Sequence, residues 1–147
     1  MKPTAGHWPA VLFWAYVAPQ EARMLGSATI TALVGTVKPE ISKAFYQDTL
    51  GLKFVSDDGY AAVFQGHNAS LRVSRVPAVT PAAYAVLAFT VDDIEKTVDG
   101  LTAKGVVFAR FGFFVQDARG IWTAPDGTQV AWFHDPDLNL LSVVQHV

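Results

Sequence analysis

The chain is 147 residues long, 51% hydrophobic and only 16% charged, against roughly 25% charged for an average soluble domain. That length suits one domain burying about two-thirds of its unfolded surface, and a formal net charge of −2 leaves no surplus cation for nucleic-acid or membrane-surface partners. The absence of Cys excludes disulfides, thiolate zinc sites, iron–sulfur clusters and a cysteine nucleophile, and it is compatible with a cytoplasmic location.

Residues 1–27 read as an N-terminal extension ahead of the domain. The longest apolar run there, Ala10 to Ala18, has nine residues against the roughly 20 of a spanning helix. A secretory signal is disfavoured because His7 and Pro9 interrupt the approach to that run, and Met24 offers a second initiator. Trp8, Phe13, Trp14 and Tyr16 need a surface to cover. The expectation is that Trp8, Phe13 and Trp14 are buried, in a homodimer contact.

Residues 28–37 are β-branched and apolar enough for a strand, and Pro39 suits the first turn of a helix running to about Leu50, where Gly51 stops it. Lys53 to Ser56, Tyr60 to Gln65 and Ser70 to Val76 read as strands, separated by the turn signals Asp57-Asp58-Gly59 and Gly66-His67-Asn68. Pro77 to Pro81 is a linker. Ala85 to Val91 then repeats the strand, and Asp92-Asp93 caps a second helix running to about Lys104. A longer loop, Arg110 to Gly127, leads to the strand Thr128 to His134, a turn over 135–139, and a closing strand to about Gln145. Thr36-Val37, Gly51 and Phe54 recur as Thr90-Val91, Gly105 and Phe108, every pair 54 residues apart. One βαβββ module is therefore used twice, over 28–77 and 84–147, in an α+β domain spanning 28–147 with helices on one face of each sheet.

Three segments, Lys38 to Leu52, Ala88 to Ile94 with Ala103 to Val106, and Phe133 to Leu141, resemble the glyoxalase/bleomycin resistance/dioxygenase group, the vicinal oxygen chelate superfamily, over residues 28–147. Each motif alone is moderately specific; three in the right order on one repeat are strong. The resemblance implies two tandem modules forming a curled mixed sheet around a cavity, and association as a homodimer. It also implies a divalent metal held by His, Glu or Gln side chains from the strands. The positions it assigns are Thr31, or Ala32 if the register moves by one, with Arg72, Val86 and Ser142. None is a credible ligand, and a guanidinium cannot bind a cation. A glycine commonly stands in this family at position 138 in a left-handed conformation, so Leu138 costs roughly 1 kcal/mol or forces another turn.

The four His residues build no alternative site by spacing. His7 lies in the extension, His67 in a turn, His134 at a strand end and His146 at the C-terminus, without any His-x-x-x-His or Glu-x-x-His pattern. His134, which Asp135 could orient, is the best of them, although a hairpin-end role is favoured, and the Asp-Pro-Asp turn reads as scaffold. Nucleophile-elbow, phosphate-loop and dinucleotide glycine motifs are missing. Asp117 and Arg119, with Trp122 beyond, could gate a cavity mouth, an ordinary solvated loop being the favoured reading. Phe111, Phe113 and Phe114 line a pocket or belong to the core. Arg72 is expected to point into the concavity, where a protein acid and a ligand are equally good partners.

The reading adopted is a glyoxalase-like protein without the usual metal ligands and without a cofactor. It binds a small organic molecule bearing a carboxylate or carbonyl, as bleomycin-resistance proteins sequester a drug, through Arg72, Thr31, Val86, Ser142, Phe113 and Trp122. The alternatives are a metal-dependent lyase or dioxygenase of glyoxalase type with displaced ligands, and a degenerate module kept for protein association.

Overall fold

A computed structural model of the chain describes residues 24–147, so the expected burial of Trp8, Phe13 and Trp14 lies outside the described residues. A unit boundary falls at Ile30. Before it, Met24–Ser27 form a short 3-10 turn; after it come two copies of one arrangement. The first holds β1 (Thr31–Thr36), α1 (Pro39–Ala44) continued by a π-helical turn (Phe45–Thr49), β2 (Lys53–Asp57), β3 (Ala61–Gln65) and β4 (Ser70–Arg75). The second holds β5 (Leu87–Thr90), α2 (Ile94–Ala103), β6 (Trp122–Thr123), β7 (Gln129–His134) and β8 (Leu140–Gln145). Each copy makes a four-stranded mixed sheet, ordered β1-β4-β3-β2 and β5-β8-β7-β6. In both, the first and last strands run parallel and the other neighbours antiparallel. The α+β fold of two tandem modules is thus present, its sheet divided into two halves.

Local chemistry explains the element ends. Pro39 occupies the first turn of α1, where its missing N–H costs nothing, and the Asp93 side chain accepts from the Lys96 N–H at 3.0 Å to cap α2. Both helices run into a glycine with positive φ, 77° at Gly51 and 94° at Gly105, a conformation that side chains resist. Phe111, Phe113 and Phe114 lie in the long loop, within the bounds read from the sequence, and outside the buried cluster; the two-residue β6 is the element that the sequence does not mark within that loop.

Strand alternation sends Val34, Phe64, Leu71 and Val73 to the same core as Tyr46, while Ala131, Phe133, Leu141 and Val143 join Ile94 and Val98, all in one cluster. The repeat extends to the packing: Phe54 meets Phe64 edge-on at 5.8 Å, and Phe108 meets Phe133 edge-on at 5.6 Å. Phe64 lies opposite Leu71 and Phe133 opposite Leu141, so the next residues along, Arg72 and Ser142, are equivalents. Ten positions separate Phe54 from Phe64 and twenty-five separate Phe108 from Phe133, so the second copy carries fifteen extra residues there.

The turn Asp135 to Asn139 is scaffold, and it also ties the modules together. Asp135 accepts from the N–H groups of Asp137 and Asn139, both at 2.9 Å, and from the Tyr46 hydroxyl at 2.7 Å. Asp137 accepts from the hydroxyls of Thr36 and Ser42, at 2.5 and 3.0 Å, and from the Val37 N–H at 2.8 Å. The Asn139 amide donates to the Gly35 carbonyl at 3.0 Å. Burial, then the charge and hydrogen bond of Asp135, push the Tyr46 phenol far above its ordinary range and keep it a donor. Leu138 takes the left-handed conformation that a glycine would fill, with φ of 69°.

Candidate functional site: the sheet faces turned from the helices

Alternation leaves Thr31, Leu33 and Arg72 on the face of the first sheet opposite its core residues. This face is open: Thr31 is exposed and Leu33 is 65% exposed. Arg72 does find a protein acid, its Nη2 lying 3.2 Å from Asp58 Oδ2 in the β2–β3 turn. The N–H groups of Ala61 and Tyr60, then Arg72, hold the Asp58 carboxyl below its usual range. Arg75 makes a two-pronged pair with Asp57, both contacts at 2.8 Å. The guanidiniums here are already partnered.

The corresponding face of the second sheet is covered in part: Ala88, which pairs with Ser142 as Leu33 pairs with Arg72, is exposed, but the centre of the face is not. Ser142 is 3% exposed, with its hydroxyl 3.5 Å from the Leu87 carbonyl. Its cross-strand neighbour Trp132 lies parallel to Phe114 at 5.1 Å and edge-on to Phe111 at 5.5 Å. Phe114 also meets Trp122 at 4.5 Å. Phe111 and Phe114 come from the loop that carries the fifteen extra residues, which is pinned from within. Gln116 donates to the Ala109 and Gly120 carbonyls at 2.9 and 2.8 Å and accepts from the Phe111 N–H at 2.8 Å. Gly120 has φ of 92°, and a Cβ there would stand 3.1 Å from that of Phe108. Asp117 accepts from the N–H groups of Arg119 and Ile121, both at 2.9 Å, and Arg119 reaches across to Asp99 on α2 at 2.8 and 3.1 Å. Asp117 and Arg119 therefore fasten the loop.

Beside the stacked rings runs a groove of about 580 Å³ whose walls include Phe113, Val115, Asp117, Trp122 and Thr123. Phe113 is 79% exposed. Of the six residues singled out in the sequence, the structure brings Phe113 and Trp122 together here. It sets Ser142 beside Trp132, and Thr31 and Arg72 on the other sheet. Val86, just before β5, is half-buried against the core and donates its N–H to the Leu140 carbonyl at 2.9 Å. Sequence reasoning missed Gln116 and Trp132. The available signals were an amide set among phenylalanines and an aromatic residue alternating with core positions in the closing hairpin.

The donor set expected for a metal consists of an exposed threonine, a buried serine, an alkyl side chain and a paired guanidinium, which does not fit a divalent cation. Among the described residues no group of three or more His, Asp or Glu side chains is gathered as a metal would require, and no helix is long and apolar enough to cross a membrane.

Residues 30–143 match the model of the Glyoxalase/Bleomycin resistance protein/Dioxygenase superfamily. Among solved structures, a member of that superfamily from Sphaerobacter thermophilus superposes with a TM-score of 0.64 at 19% identity, covering 84% of this chain and 100% of its own. A lactoylglutathione lyase from Agrobacterium tumefaciens gives 0.62 at 17% identity, covering 81% and 93%. A virulence protein from Salmonella typhimurium gives 0.60 at 19% identity, covering 80% and 96%. At these identities the likeness is one of fold. No curated protein matches the chain.

Proposed function

The chain belongs to the glyoxalase/bleomycin resistance protein/dioxygenase superfamily, and from that premise we propose that it binds a small organic molecule, without a metal, at the aromatic groove of the second module. The observation that carries this reading is the pairing of Phe113 and Trp122 as walls of one groove beside the stacked Phe114 and Trp132 rings. Such surfaces hold a flat conjugated ligand by offset stacking, worth about 0.5–1.5 kcal/mol per ring pair beyond the buried area. The Asp117 carboxylate on the rim favours a carbonyl over a carboxylate in the ligand. Arg72 would serve a carboxylate only by giving up Asp58, so it is at most a secondary contact.

Thr31, Arg72, Val86 and Ser142 offer a divalent ion too few donors to replace its water shell. A lyase or dioxygenase of glyoxalase type would need ligands from elsewhere. The homodimer belongs to the same proposal; the open face of the first sheet, with Leu33 uncovered, is the surface it would use.

Coumarin, a flat carbonyl compound, serves as the probe in thermal unfolding after treatment with a chelator. The expected result is a Tm raised by coumarin in the parent and in Arg72→Ala but not in Trp122→Ala. Stoichiometric zinc, nickel, manganese or iron retained on elemental analysis, or a shift lost only in Arg72→Ala, overturns the reading.

A further inference from the structure

Gln116 stands where the three ring-bearing segments of the second module meet. It is half-buried. Its Nε2 donates to the Ala109 carbonyl at 2.9 Å and to the Gly120 carbonyl at 2.8 Å, and its Oε1 accepts from the Phe111 N–H at 2.8 Å. Each partner leads to a ring. The Ala109 N–H donates to the Trp132 carbonyl at 2.7 Å, and Gly120 lies two residues before Trp122. Phe111 opens the turn that carries Phe113 and Phe114, closed by the Phe114 N–H on the Phe111 carbonyl at 3.1 Å.

The charged side chains of the same loop hold a different part of it. Arg110 donates to the carbonyls of Asp117 and Ala118 at 2.6 and 2.7 Å, Asp117 accepts from the N–H groups of Arg119 and Ile121, and Arg119 is paired with Asp99. All of these fix residues 117–121. Among the described residues, the turn 111–115 has no hydrogen bond to the rest of the chain except that from the Phe111 N–H to Gln116. Two donors and one acceptor in a single planar group are what an amide offers. A carboxylate of the same shape would set a charge against two carbonyl oxygens, and an alkyl group would leave both without a donor.

We propose that Gln116 is the positioning residue of the aromatic groove, its amide setting Phe113 and Phe114 against Trp122 and Trp132. Both of its N–H donors are spent on the loop, so it has none left for a molecule in the groove that it borders. The inference rests on that groove as the binding site, but the placement of the rings is read without any ligand.

The test is Gln116→Glu in the full chain, with the indole N–H signals of Trp122 and Trp132 and the core methyl signals of Val98 and Leu141 followed by NMR. Spectra are taken at about pH 8 and about pH 5.5, an interval toward which two facing carbonyls and partial burial raise a carboxyl group. The ionised variant has no proton to give to Ala109 and Gly120, whereas the protonated acid keeps one donor and one acceptor. Without ligand, the indole signals are expected to leave their parent positions at the higher pH and to return toward them at the lower. The core methyls stay in place, and the parent indoles do not follow pH. Coumarin should bind the variant at least about tenfold more weakly at the higher pH than at the lower, and should bind Gln116→Leu weakly at both. Variant indole signals that match the parent at both pH values, core methyl signals that are lost, or coumarin affinity that falls while the indoles keep their parent positions would each overturn the proposal. Absence of coumarin binding to the parent would overturn the groove as the binding site, and the ligand-free indole signals would still decide the role of Gln116.

Discussion

In the first module the sheet face turned from α1 carries Arg72 paired with Asp58, and Leu33 beside it stands 65% exposed. In the second the equivalent face carries Ser142, buried beside Trp132, against whose ring an added loop lays Phe111 and Phe114, while Ala88 on the other side of Ser142 stays exposed. The frames agree closely: the same strand order, a positive-φ glycine after each helix, and the same edge-on phenylalanine pair. The two copies therefore diverge chiefly through what one loop lays over a conserved geometry of strands. A long insertion that carries aromatics can convert an open face into a walled groove without altering the sheet beneath.

The comparison breaks most easily at the β7–β8 turn, whose hydrogen bonds to the other module have no counterpart in the β3–β4 turn. Asp137→Ala leaves the Val37 N–H and the hydroxyls of Thr36 and Ser42 without their acceptor, so a loss of about 3 kcal/mol is expected in denaturant unfolding. Asn68→Ala in the short turn of the first module should stay within about 0.5 kcal/mol. Next in size is Trp132→Ala, with about 2–3 kcal/mol expected from the loss of its ring contacts, against about 1 kcal/mol for Val63→Ala, its equivalent opposite Arg72.

Acid sharpens the same contrast. Burial pushes the Asp137 carboxyl up, but hydrogen bonds from Thr36, Val37 and Ser42, with the Lys38 charge, outweigh it and hold the group below its usual range. A folded-state value lower than the unfolded one means that its stabilisation is complete above about pH 4 and is lost as pH falls through the folded-state value. Unfolding free energies followed from about pH 6 downward should therefore fall less steeply in Asp137→Asn than in the parent. The smallest effect is expected at Arg72→Ala, within about 0.5 kcal/mol in the same denaturant measurement, because an ion pair with both partners partly exposed contributes little.

The repeat was legible because glycines after helices and phenylalanines against the sheet are set by backbone conformation and packing, which leave local marks at Gly51, Gly105, Phe54 and Phe108. Pro39 in the first turn of α1 and the Asp93 cap of α2 are legible for the same reason, whereas the left-handed Leu138 is one of two outcomes that the family resemblance implies, a different turn being the other. The acceptors that join the modules were not: Thr36 and Asp137 are 101 positions apart, and no spacing rule links them. The strand pattern turns Arg72 toward the concavity, but its partner Asp58 lies in a turn, where an acid reads simply as a turn signal. The loop is exposed at Phe113, Val115, Asp117 and Arg119, as its polarity suggests, but the hydrogen bonds by which Gln116 and Asp117 hold its backbone leave no mark in a spacing.

The central claim, metal-free binding at the aromatic groove, is tested most directly by following the indole N–H signals of Trp122 and Trp132 while coumarin is titrated into chelator-treated protein. The account predicts a saturable shift of the Trp122 signal with no metal added. A Trp122 signal that stays fixed until zinc, nickel, manganese or iron is supplied would contradict it.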